Sequence, residues 1–415
     1  MLFRFSIYGF LKNQRYFEPF LLLVFIDKGL SFAAIGFLIA IRELTVNLLE
    51  IPSGAVADLW GRKKAMILAF VAYIVSFLLF AKADQFLFLA AAMFFYGVGE
   101  AFRTGTHKAI IFNWLELNNR TDERTKVYGY TRSWSKIGSA LSVIIATLIV
   151  IFSDSYEYVF LIAIVPYLLA IINFLGYPSE LDRLAQTIPS LKNVAKQTLG
   201  TLRETVKHTS LRKIIIEGMA FDGIFGTVKD YLQPILALAA VATAGKLFNS
   251  ESLSETQHTA IYVGIAYFTL YLLSALASRN AHRVEALFGS DLRASQYFWA
   301  MGTVIFLTIT IGAYYSATAF VIGAFILFHV LHNLWRPVFI SRLAAQSTES
   351  QRATTLSIES LAKRITIVIA APLLGWAIDE TSKREIGGEF WPIGAVGLIV
   401  FLFFTLTSQR SKTTI

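Results

Sequence analysis

The sequence predicts an all-α integral membrane protein with twelve transmembrane helices in two six-helix bundles. Hydrophobic residues make up 55% of the 415 positions and charged residues only 16%, whereas a soluble domain has about 45–50% apolar and about 25% charged residues. Aromatic residues reach 14%, which is typical of chains whose rings face lipid or its interfaces. These observations exclude a water-soluble enzyme and a disordered chain.

Twelve stretches of the chain are long and apolar enough to cross a bilayer, since a span needs about 20 apolar residues. In the first half they cover residues 9–27, 32–57, 65–82, 86–112, 130–152 and 156–177. In the second half they cover residues 213–241, 257–278, 293–314, 317–340, 356–378 and 390–409. We therefore expect an N-terminal bundle over 1–177 and a C-terminal bundle over 213–415.

The segment 178–212 connects the two predicted bundles. After Pro189 its apolar residues recur at helical spacing, with Lys and Arg on the opposite side. A helix of this kind lies along a membrane surface. We interpret the segment as a cytoplasmic amphipathic linker, and a binding site for a regulatory partner is the alternative.

The distribution of basic residues predicts the orientation. Cytoplasmic loops are enriched in Lys and Arg, and the predicted outer loops hold only Lys28, Lys82, Lys246, Lys383 and Arg384. We expect both termini in the cytoplasm of a multi-pass protein of the inner or plasma membrane. The net charge of +9 is then an orientation signal, and we expect no nucleic-acid partner.

Several kinds of chemistry lack their sequence patterns. The chain has no cysteine, which excludes disulfides, thiolate metal sites and cysteine nucleophiles. It has no phosphate-binding loop, nucleophile elbow or dinucleotide fingerprint. His329 and His332 are only two ligands and do not complete a zinc site. We expect neither an enzyme nor a cofactor or metal.

Charged and polar residues recur at helical spacing inside the predicted spans, where a charge costs several kcal/mol and marks a cavity or a partner. The first half has three such stripes: Glu43, Asn47 and Glu50 in span two, Glu100, Arg103, His107 and Lys108 in span four, and Arg132, Ser135, Lys136 and Ser139 in span five. The second half has Glu217, Asp222, Lys229 and Asp230 in span seven, His329, His332, Asn333 and Arg336 in span ten, and Glu359, Lys363 and Arg364 in span eleven. We expect Glu359 and Lys363 to form a structural pair within one helix.

Ten of these residues are our candidates for binding the substrate or the coupling ion. They are Glu43, Asn47, Glu100, Arg103, His107, Arg132, Asp222, His332, Asn333 and Arg336.

A charged turn joins spans two and three. It reads Gly54-Ala-Val-Ala-Asp58-Leu-Trp-Gly61-Arg62-Lys63-Lys64. Gly61 allows a tight reversal between two helices. Asp58, at a helix end, can pair with nearby cations, and the three basic residues hold the turn on the cytoplasmic side.

The run from Glu50 to Lys64 resembles the signature loop of the major facilitator superfamily, in the position where that family has it. Gly105–Ala109 followed by Asn113-Trp-Leu115 resembles the pattern of the family's fourth span, with Asn113 where many relatives carry Asp. Arg352–Ser357 followed by Ser360-Leu361 resembles the start of its eleventh span. Span five has Gly138-Ser-Ala in place of the Gly-Pro-x-x-Gly-Gly pattern of many drug antiporters in the family.

The resemblance implies a secondary active transporter that works by alternating access. Its cytoplasmic gate would be formed by Gly54, Asp58, Gly61, Arg62 and Lys63. The excess of basic residues in the first half favours a small anionic or zwitterionic solute. We expect a proton as the coupling ion, carried by Glu100, His107 or Asp222, and we expect the protein to act as a monomer in the bilayer.

Two other functions remain open at this point. Proton-linked efflux of hydrophobic or cationic drugs is favoured by the acidic stripe and the aromatic residues. An intramembrane lipid-modifying enzyme would use His329, His332 and Glu359.

Overall fold

The structure of the protein, a computed structural model, describes residues 1–182, 208–243, 253–346 and 352–410. All secondary structure in these residues is helical, which confirms the all-α prediction. Ten helical stretches are long and apolar enough to cross a membrane, and Leu2–Leu11 and Trp391–Thr407 are shorter apolar helices. The predicted amphipathic helix after Pro189 lies outside the described residues.

The first compact unit contains the described residues 1–24 and 41–182. The helices of this part of the chain are α1 (Leu2–Leu11), α2 (Leu21–Asp27), α3 (Phe32–Trp60), α4 (Arg62–Lys82), α5 (Phe86–Arg103), α6 (Thr106–Leu117), α7 (Arg124–Ser153) and α8 (Tyr158–Leu175). Helix α4 packs against α5 and α8, and α1 packs against α7.

Aromatic rings fill the core of the first unit. Tyr73, Phe77 and Tyr167 are at most 2% exposed. The ring of Tyr167 stands edge-on to Phe77 at a centroid distance of 4.9 Å and to Tyr73 at 5.3 Å. Edge-to-face pairs at this distance add to the free energy gained by burial alone. The core thus fixes α4 against α8 beside the polar residues described below.

The structure interrupts the first predicted span. A helix begins at Leu2 rather than near residue 9, ends at Leu11, and a short 3-10 helix at Glu18–Phe20 precedes α2. Amide side chains replace the missing helical bonds: Asn13 Nδ2 donates to the carbonyl of Gly9 at 2.7 Å, and Gln14 Nε2 donates to that of Gly138 at 3.2 Å. Such breaks are tolerated in a membrane where they line a cavity or are buried in protein.

The fourth predicted span is also interrupted. Helix α5 ends at Arg103 and α6 begins at Thr106, with Gly105 between them at φ +81°. This φ lies in the left-handed region that glycine adopts at little cost. The interruption places the first turn of α6 inside the predicted span 86–112, where its free N–H groups can face a ligand.

The second compact unit contains the described residues 25–40, 208–243, 253–346 and 352–410. Beyond the first half of the chain its helices are α9 (Thr209–Val228), α10 (Leu232–Thr243), α11 (Glu255–Phe288), α12 (Asp291–Tyr314), α13 (Thr318–Ala345), α14 (Arg352–Lys383) and α15 (Trp391–Arg410). Helix α12 packs against α15 and α13, α9 against α14, and α11 against α13.

The first residues of α3 pack within the second unit. The Asp379 carboxylate on α14 accepts the backbone N–H of Phe32 at 2.9 Å and that of Ala33 at 2.8 Å. These are orphan donors of the first turn of α3, so Asp379 acts as its cap.

Candidate functional site

A cavity of about 470 Å³ opens in the first unit. It lies where α1, the junction of α5 with α6, and α7 meet. Its wall contains Phe5, Tyr8, Gly9, Lys12, Asn13, Arg103, Thr104, Gly105, His107, Lys108, Ile111, Tyr128, Thr131, Arg132, Ser135, Lys136 and Ser139. Lys108, Arg132 and Lys136 are exposed, so the cavity opens to the surface of the unit.

The wall of this cavity is strongly cationic. Five of its residues, Lys12, Arg103, Lys108, Arg132 and Lys136, carry a positive charge, and none of its residues is Asp or Glu. Charges of one sign around a cleft focus the electric field and concentrate counter-ions. The cavity therefore attracts anions.

Arg103 differs from the other four cations because its charge is compensated. Its Nη2 lies 2.7 Å from Glu100 Oε2, and Nη2 of Arg15 lies 3.1 Å from Glu100 Oε1. Tyr73 donates its hydroxyl to the same Oε1 at 2.7 Å. The sequence placed Glu100 and Arg103 on one helix face, and the structure pairs them.

The remaining four cations form no ion pair with a carboxylate among the described residues. Lys12 Nζ lies 5.5 Å from the ring centroid of Tyr8. Lys108 Nζ lies 5.4 Å from the centroids of Phe112 and Tyr128. Such cation–π contacts contribute about 0.5–1 kcal/mol at exposed sites but leave the charge uncompensated.

His107 is a buried member of the same wall. Its ring stacks on Tyr8 at a centroid distance of 3.7 Å, and its Nε2 lies 3.2 Å from the Tyr177 hydroxyl. Both contacts hold the His107 ring in place between Tyr8 and Tyr177.

A second polar cluster lies in the second unit and combines three of the predicted candidates. Asp222 on α9 has one oxygen 2.6 Å from His332 Nε2, and its other oxygen accepts from Arg336 Nη1. Arg336 also forms two bonds to Glu359, at 2.8 and 3.0 Å. Lys363 Nζ lies 3.9 Å from Asp222. Glu359 thus pairs with Arg336, and not with Lys363 as its position on the same helix predicted.

The charges in this cluster balance when His332 is neutral, because Asp222 and Glu359 face Arg336 and Lys363. The His332 ring stacks flat on Phe225 at 3.7 Å. Its second nitrogen, Nδ1, is buried and has no hydrogen-bond partner among the described residues. A proton added here would therefore change the net charge of the cluster.

Four other polar residues of the predicted stripes lie apart from both sites. Glu43 pairs with the adjacent Arg42 at 2.9 Å, Asn47 is half-buried on α3, and neither lines the cavity. Asn333 donates to Ser274 Oγ at 3.1 Å, away from the Asp222 cluster. His329 Nδ1 lies 2.9 Å from the carbonyl of Phe325.

The turn after α3 has a defined geometry. Gly61 has φ +103°, a conformation that side chains with a Cβ rarely adopt. Arg62 Nη2 lies 3.1 Å from Asp58 Oδ1, so the two ends of the turn are paired. Gly54 lies in open surroundings on α3.

Lys63 connects this turn to the end of α8 and to the residues that follow it. Its Nζ donates to the carbonyl oxygens of Leu175 and Tyr177, both at 3.0 Å. Its backbone N–H donates to Asp182 Oδ1 at 2.8 Å.

Lys108 and Lys136 stood in the predicted stripes but not among the ten candidates, and Tyr8, Lys12 and Asp182 stood in neither set. Tyr8 and Lys12 belong to the cavity, and Asp182 belongs to the turn. The charge of Lys12 inside an apolar stretch is a signal that could have placed it in a cavity. Asp182 had no local signal, because its partners are more than 100 positions away in the sequence.

The family model described as Major Facilitator Superfamily matches residues 12–290, which is more than half of the chain. The chain belongs to the major facilitator superfamily. It is therefore a multi-pass membrane transporter rather than an enzyme, as the signature loop predicted.

Known members of the superfamily resemble the whole chain. The "Uncharacterized MFS-type transporter YxaM" of Bacillus subtilis (strain 168) is 22% identical over 371 residues, which cover 86% of this chain and 84% of that protein. The nucleoside transporter NupG superposes with a TM-score of 0.73 at 15% identity, over 99% of each chain.

Two further structures share the fold. A POT family transporter in complex with 5-aminolevulinic acid superposes with a TM-score of 0.71 at 14% identity, covering 99% of this chain and 96% of that one. A D-xylose-proton symporter superposes with a TM-score of 0.61 at 13% identity, covering 97% and 96%. These likenesses confirm the predicted superfamily fold.

Proposed function

We propose that this member of the superfamily is a proton-coupled secondary transporter of a small anionic or zwitterionic solute. The observation that carries the proposal is the first-unit cavity, whose wall has five cationic residues and no carboxylate. Since four of these cations lack a carboxylate partner in the described part of the chain, the compensating negative charge would come from the solute.

The same wall is poorly suited to cationic drugs. A cationic compound would meet like charges and would find no carboxylate to pair with. Glu100, an acid next to the cavity, already accepts from Arg15, Arg103 and Tyr73. Solutes with a negative charge are therefore favoured over the hydrophobic or cationic compounds considered from the sequence.

The Asp222–His332 pair supports the proton as coupling ion. A carboxylate oxygen and an imidazole nitrogen at 2.6 Å can share or exchange a proton. Arg336 and Lys363 face the same carboxylate, so a proton taken up at His332 would alter an otherwise balanced set of charges. Of the three predicted carriers, Asp222 is the one that contacts a second titratable group suited to proton exchange, His332.

The orientation with both termini in the cytoplasm remains part of this proposal. It rests on the concentration of Lys and Arg in the inner segments. On this orientation the turn formed by Gly54, Asp58, Gly61, Arg62 and Lys63 is on the cytoplasmic side, where a gate would act.

Transport by purified protein in liposomes tests the anion assignment. Labelled small anions, zwitterions and cations are offered to the same vesicles, and we expect saturable uptake for an anion or zwitterion. Arg103→Ala and Arg132→Ala should both reduce this uptake, while Lys126→Ala, a change of an exposed lysine on α7 outside the cavity, should leave it intact. Uptake that is unchanged in both arginine variants would contradict the assignment.

A second measurement tests the coupling ion. In the wild type we expect an inwardly directed proton gradient, acidic outside, to drive accumulation of the solute in the vesicles. His332→Gln should abolish this accumulation while still permitting exchange of solute across the membrane. His282→Gln, at an exposed histidine of the same unit, is the matched control. Accumulation that persists in His332→Gln would count against proton coupling through this pair.

A further inference from the structure

We infer that the first-unit cavity binds divalent anionic groups in preference to monocarboxylates. Such groups, which carry two negative charges, include a phosphate monoester, a phosphonate and inorganic sulfate. This inference rests on the proposed anion transport and names the class of substrate. Its basis is the number, the spacing and the availability of the donors in the wall.

The number of uncompensated cations exceeds what one carboxylate can neutralise. Lys12, Lys108, Arg132 and Lys136 each lack an ion pair within the described ranges. When a solute with a single negative charge is bound, most of the cations in the wall stay uncompensated and still repel one another. A divalent group removes more of that repulsion and gains a charge-assisted hydrogen bond to each cation that it reaches.

The spacing of the cations suits a compact group. Arg132 and Lys136 are four positions apart on α7, so they lie one above the other on the same helix face. Both line the cavity, together with Lys108 from the first turn of α6. Two neighbouring cations on one face and a third on the adjacent helix can bind different oxygens of one tetrahedral group.

The first turn of α6 adds to the positive electrostatic potential of the cavity. Thr104, Gly105, His107 and Lys108 all line the cavity. The N-cap residue Gly105 provides no side-chain acceptor for the first amide groups of this 12-residue helix. The positive end of the helix dipole therefore faces the cavity and reinforces its charged side chains.

The serine and threonine hydroxyl groups of the wall are already engaged in hydrogen bonds to backbone carbonyls. Thr104 donates to the carbonyl of Glu100 at 2.7 Å, and Ser139 donates to that of Ser135 at 3.1 Å. Ser135 donates to Thr131 at 3.4 Å. Hydrogen bonds to a solute would therefore come mainly from the cationic donors, with the hydroxyls of Tyr8 and Tyr128 beside them, which favours an oxyanion over a neutral polyhydroxyl solute.

The test compares divalent and monovalent anions as ligands of the full-length protein in detergent. Sulfate and methyl phosphate are the divalent probes, and acetate and lactate are the monovalent ones, each at low millimolar concentration and matched ionic strength. A ligand that binds the folded protein raises its thermal midpoint. We expect the divalent probes to bind at least about tenfold more tightly than the monovalent ones.

The ionisation of the phosphate monoester provides an internal check. Its second pKa is about 6, so it is mainly divalent at pH 7.5 and mainly monovalent at pH 5, whereas sulfate is divalent at both. We expect methyl phosphate, but not sulfate, to bind more weakly at pH 5. A parallel loss for sulfate would show that the protein and not the ligand titrates, and it would overturn the inference.

Single substitutions locate the binding group. Lys136→Gln and Arg132→Gln should each weaken sulfate binding by about 10–100-fold, the usual effect of losing one hydrogen bond to a charged group. Lys126→Gln, an exposed lysine on the same helix outside the cavity, should not. Equal effects of all three changes would mean that sulfate acts through general charge, and the inference would fail.

Failure of this inference is distinguishable from failure of the proposed function. A monocarboxylate that binds as tightly as sulfate, and that depends on Arg132, would refute the divalent preference and retain anion transport. Succinate carries its two negative charges on separate carboxylates. If it bound more tightly than sulfate, the preference for a compact divalent group would be refuted. No binding of any anion would refute both.

Discussion

Asp182 accepts a hydrogen bond from the backbone N–H of Lys63 at 2.8 Å, so a carboxylate that follows α8 caps the first turn of α4. In return, Lys63 Nζ donates to the carbonyl oxygens of Leu175 and Tyr177 at the end of α8. The turn that marks the superfamily in the sequence is therefore bonded in both directions to the last helix of its unit. Both sets of bonds join positions more than 100 residues apart.

Removal of this cap should loosen the turn. Replacing a capping carboxylate by alanine costs about 0.5–2 kcal/mol, and we expect Asp182→Ala to lower the thermal midpoint of a chain of this length by about 1–2 °C. Glu180→Ala, an exposed change in the same short helix, is the control and should have little effect. Equal midpoints for wild type and Asp182→Ala would show that the cap contributes nothing measurable.

The two glycines of the turn should respond in opposite directions to alanine. A Cβ on Gly61 would lie 2.2 Å from Asp182 Oδ1, at φ +103°, so Gly61→Ala should destabilise the protein more than Asp182→Ala does. Gly54 lies within α3, where a Cβ would have open space within 4 Å, and alanine there should stabilise the helix by about 0.5–1 kcal/mol. Thermal midpoints of the two variants, measured side by side, check the contrast, which a loss of stability in Gly54→Ala would contradict.

Asp58→Asn should affect transport more than folding. The Asp58–Arg62 pair is partly exposed, at 42% and 29% of the two side chains, and such pairs contribute about 0–1 kcal/mol to stability. If the pair serves the gate, the asparagine variant should reach the membrane in normal amounts and transport slowly. Initial uptake rates normalised to protein amount measure this, with Glu116→Gln as an exposed control. Normal rates in Asp58→Asn would argue against a gating role.

The buried cluster of the second unit should be sensitive to the loss of its arginine. Arg336→Met leaves Asp222 and Glu359 without their shared partner, and Glu359 is only 1% exposed. Breaking a buried pair in this way costs about 3–5 kcal/mol. The double variant Arg336→Met with Glu359→Gln should recover part of the lost stability, because it removes the negative charge that Arg336 no longer balances, while Lys363 still faces Asp222.

Thermal unfolding of the single and double variants measures that coupling. If the double variant is less stable than Arg336→Met alone, the ion pair is not what Arg336 contributes.

Glu389 predicts a small dependence of stability on pH. It lies between α14 and α15, outside the spans, and burial raises the pKa of its carboxyl above the ordinary value of 4.5, with Asp379 adding to the effect. The folded protein then binds this proton more tightly than the unfolded chain, so stability is lost as pH rises from 4.5 through the raised pKa.

Glu389→Gln cannot ionise and should remove that loss. At about pH 8 we expect the variant to melt at a higher temperature than wild type. Near pH 4.5, the ordinary pKa of a glutamate carboxyl, the two proteins should melt at the same temperature. The exposed Glu385→Gln should melt like wild type at both. A Glu389→Gln variant that melts below wild type at the higher pH would reverse the expected sign.

The sequence predicted the parts of the molecule that depend on local pattern. Long apolar stretches predicted the helices, and the i, i+3 and i+7 spacing of Glu100, Arg103 and His107 placed them on one face of span four. The spacing of His332 and Arg336 likewise predicted that one helix presents both, and the structure brings Asp222 to them.

The parts that the sequence did not predict depend on contacts between distant positions. A continuous helix over 9–27 fitted the apolar pattern, but Asn13 and Gln14 bond to carbonyl groups of Gly9 and Gly138 and interrupt it. That interruption brings Lys12 into the cavity. The partner of Glu359 likewise depends on a contact between distant positions. The helix period predicted Lys363 as the partner, whereas Glu359 pairs with Arg336 on another helix.

The uniform sign of the cavity wall also has a kinetic consequence. A cleft lined by charges of one sign raises the association rate of opposite ions by about 10–1,000-fold, and the gain falls steeply with ionic strength. Lys12, Lys108, Arg132 and Lys136 would therefore accelerate capture of the solute before any contact is made. Added salt should slow the arrival of a divalent solute more than that of a monovalent one, while the release of either would change little.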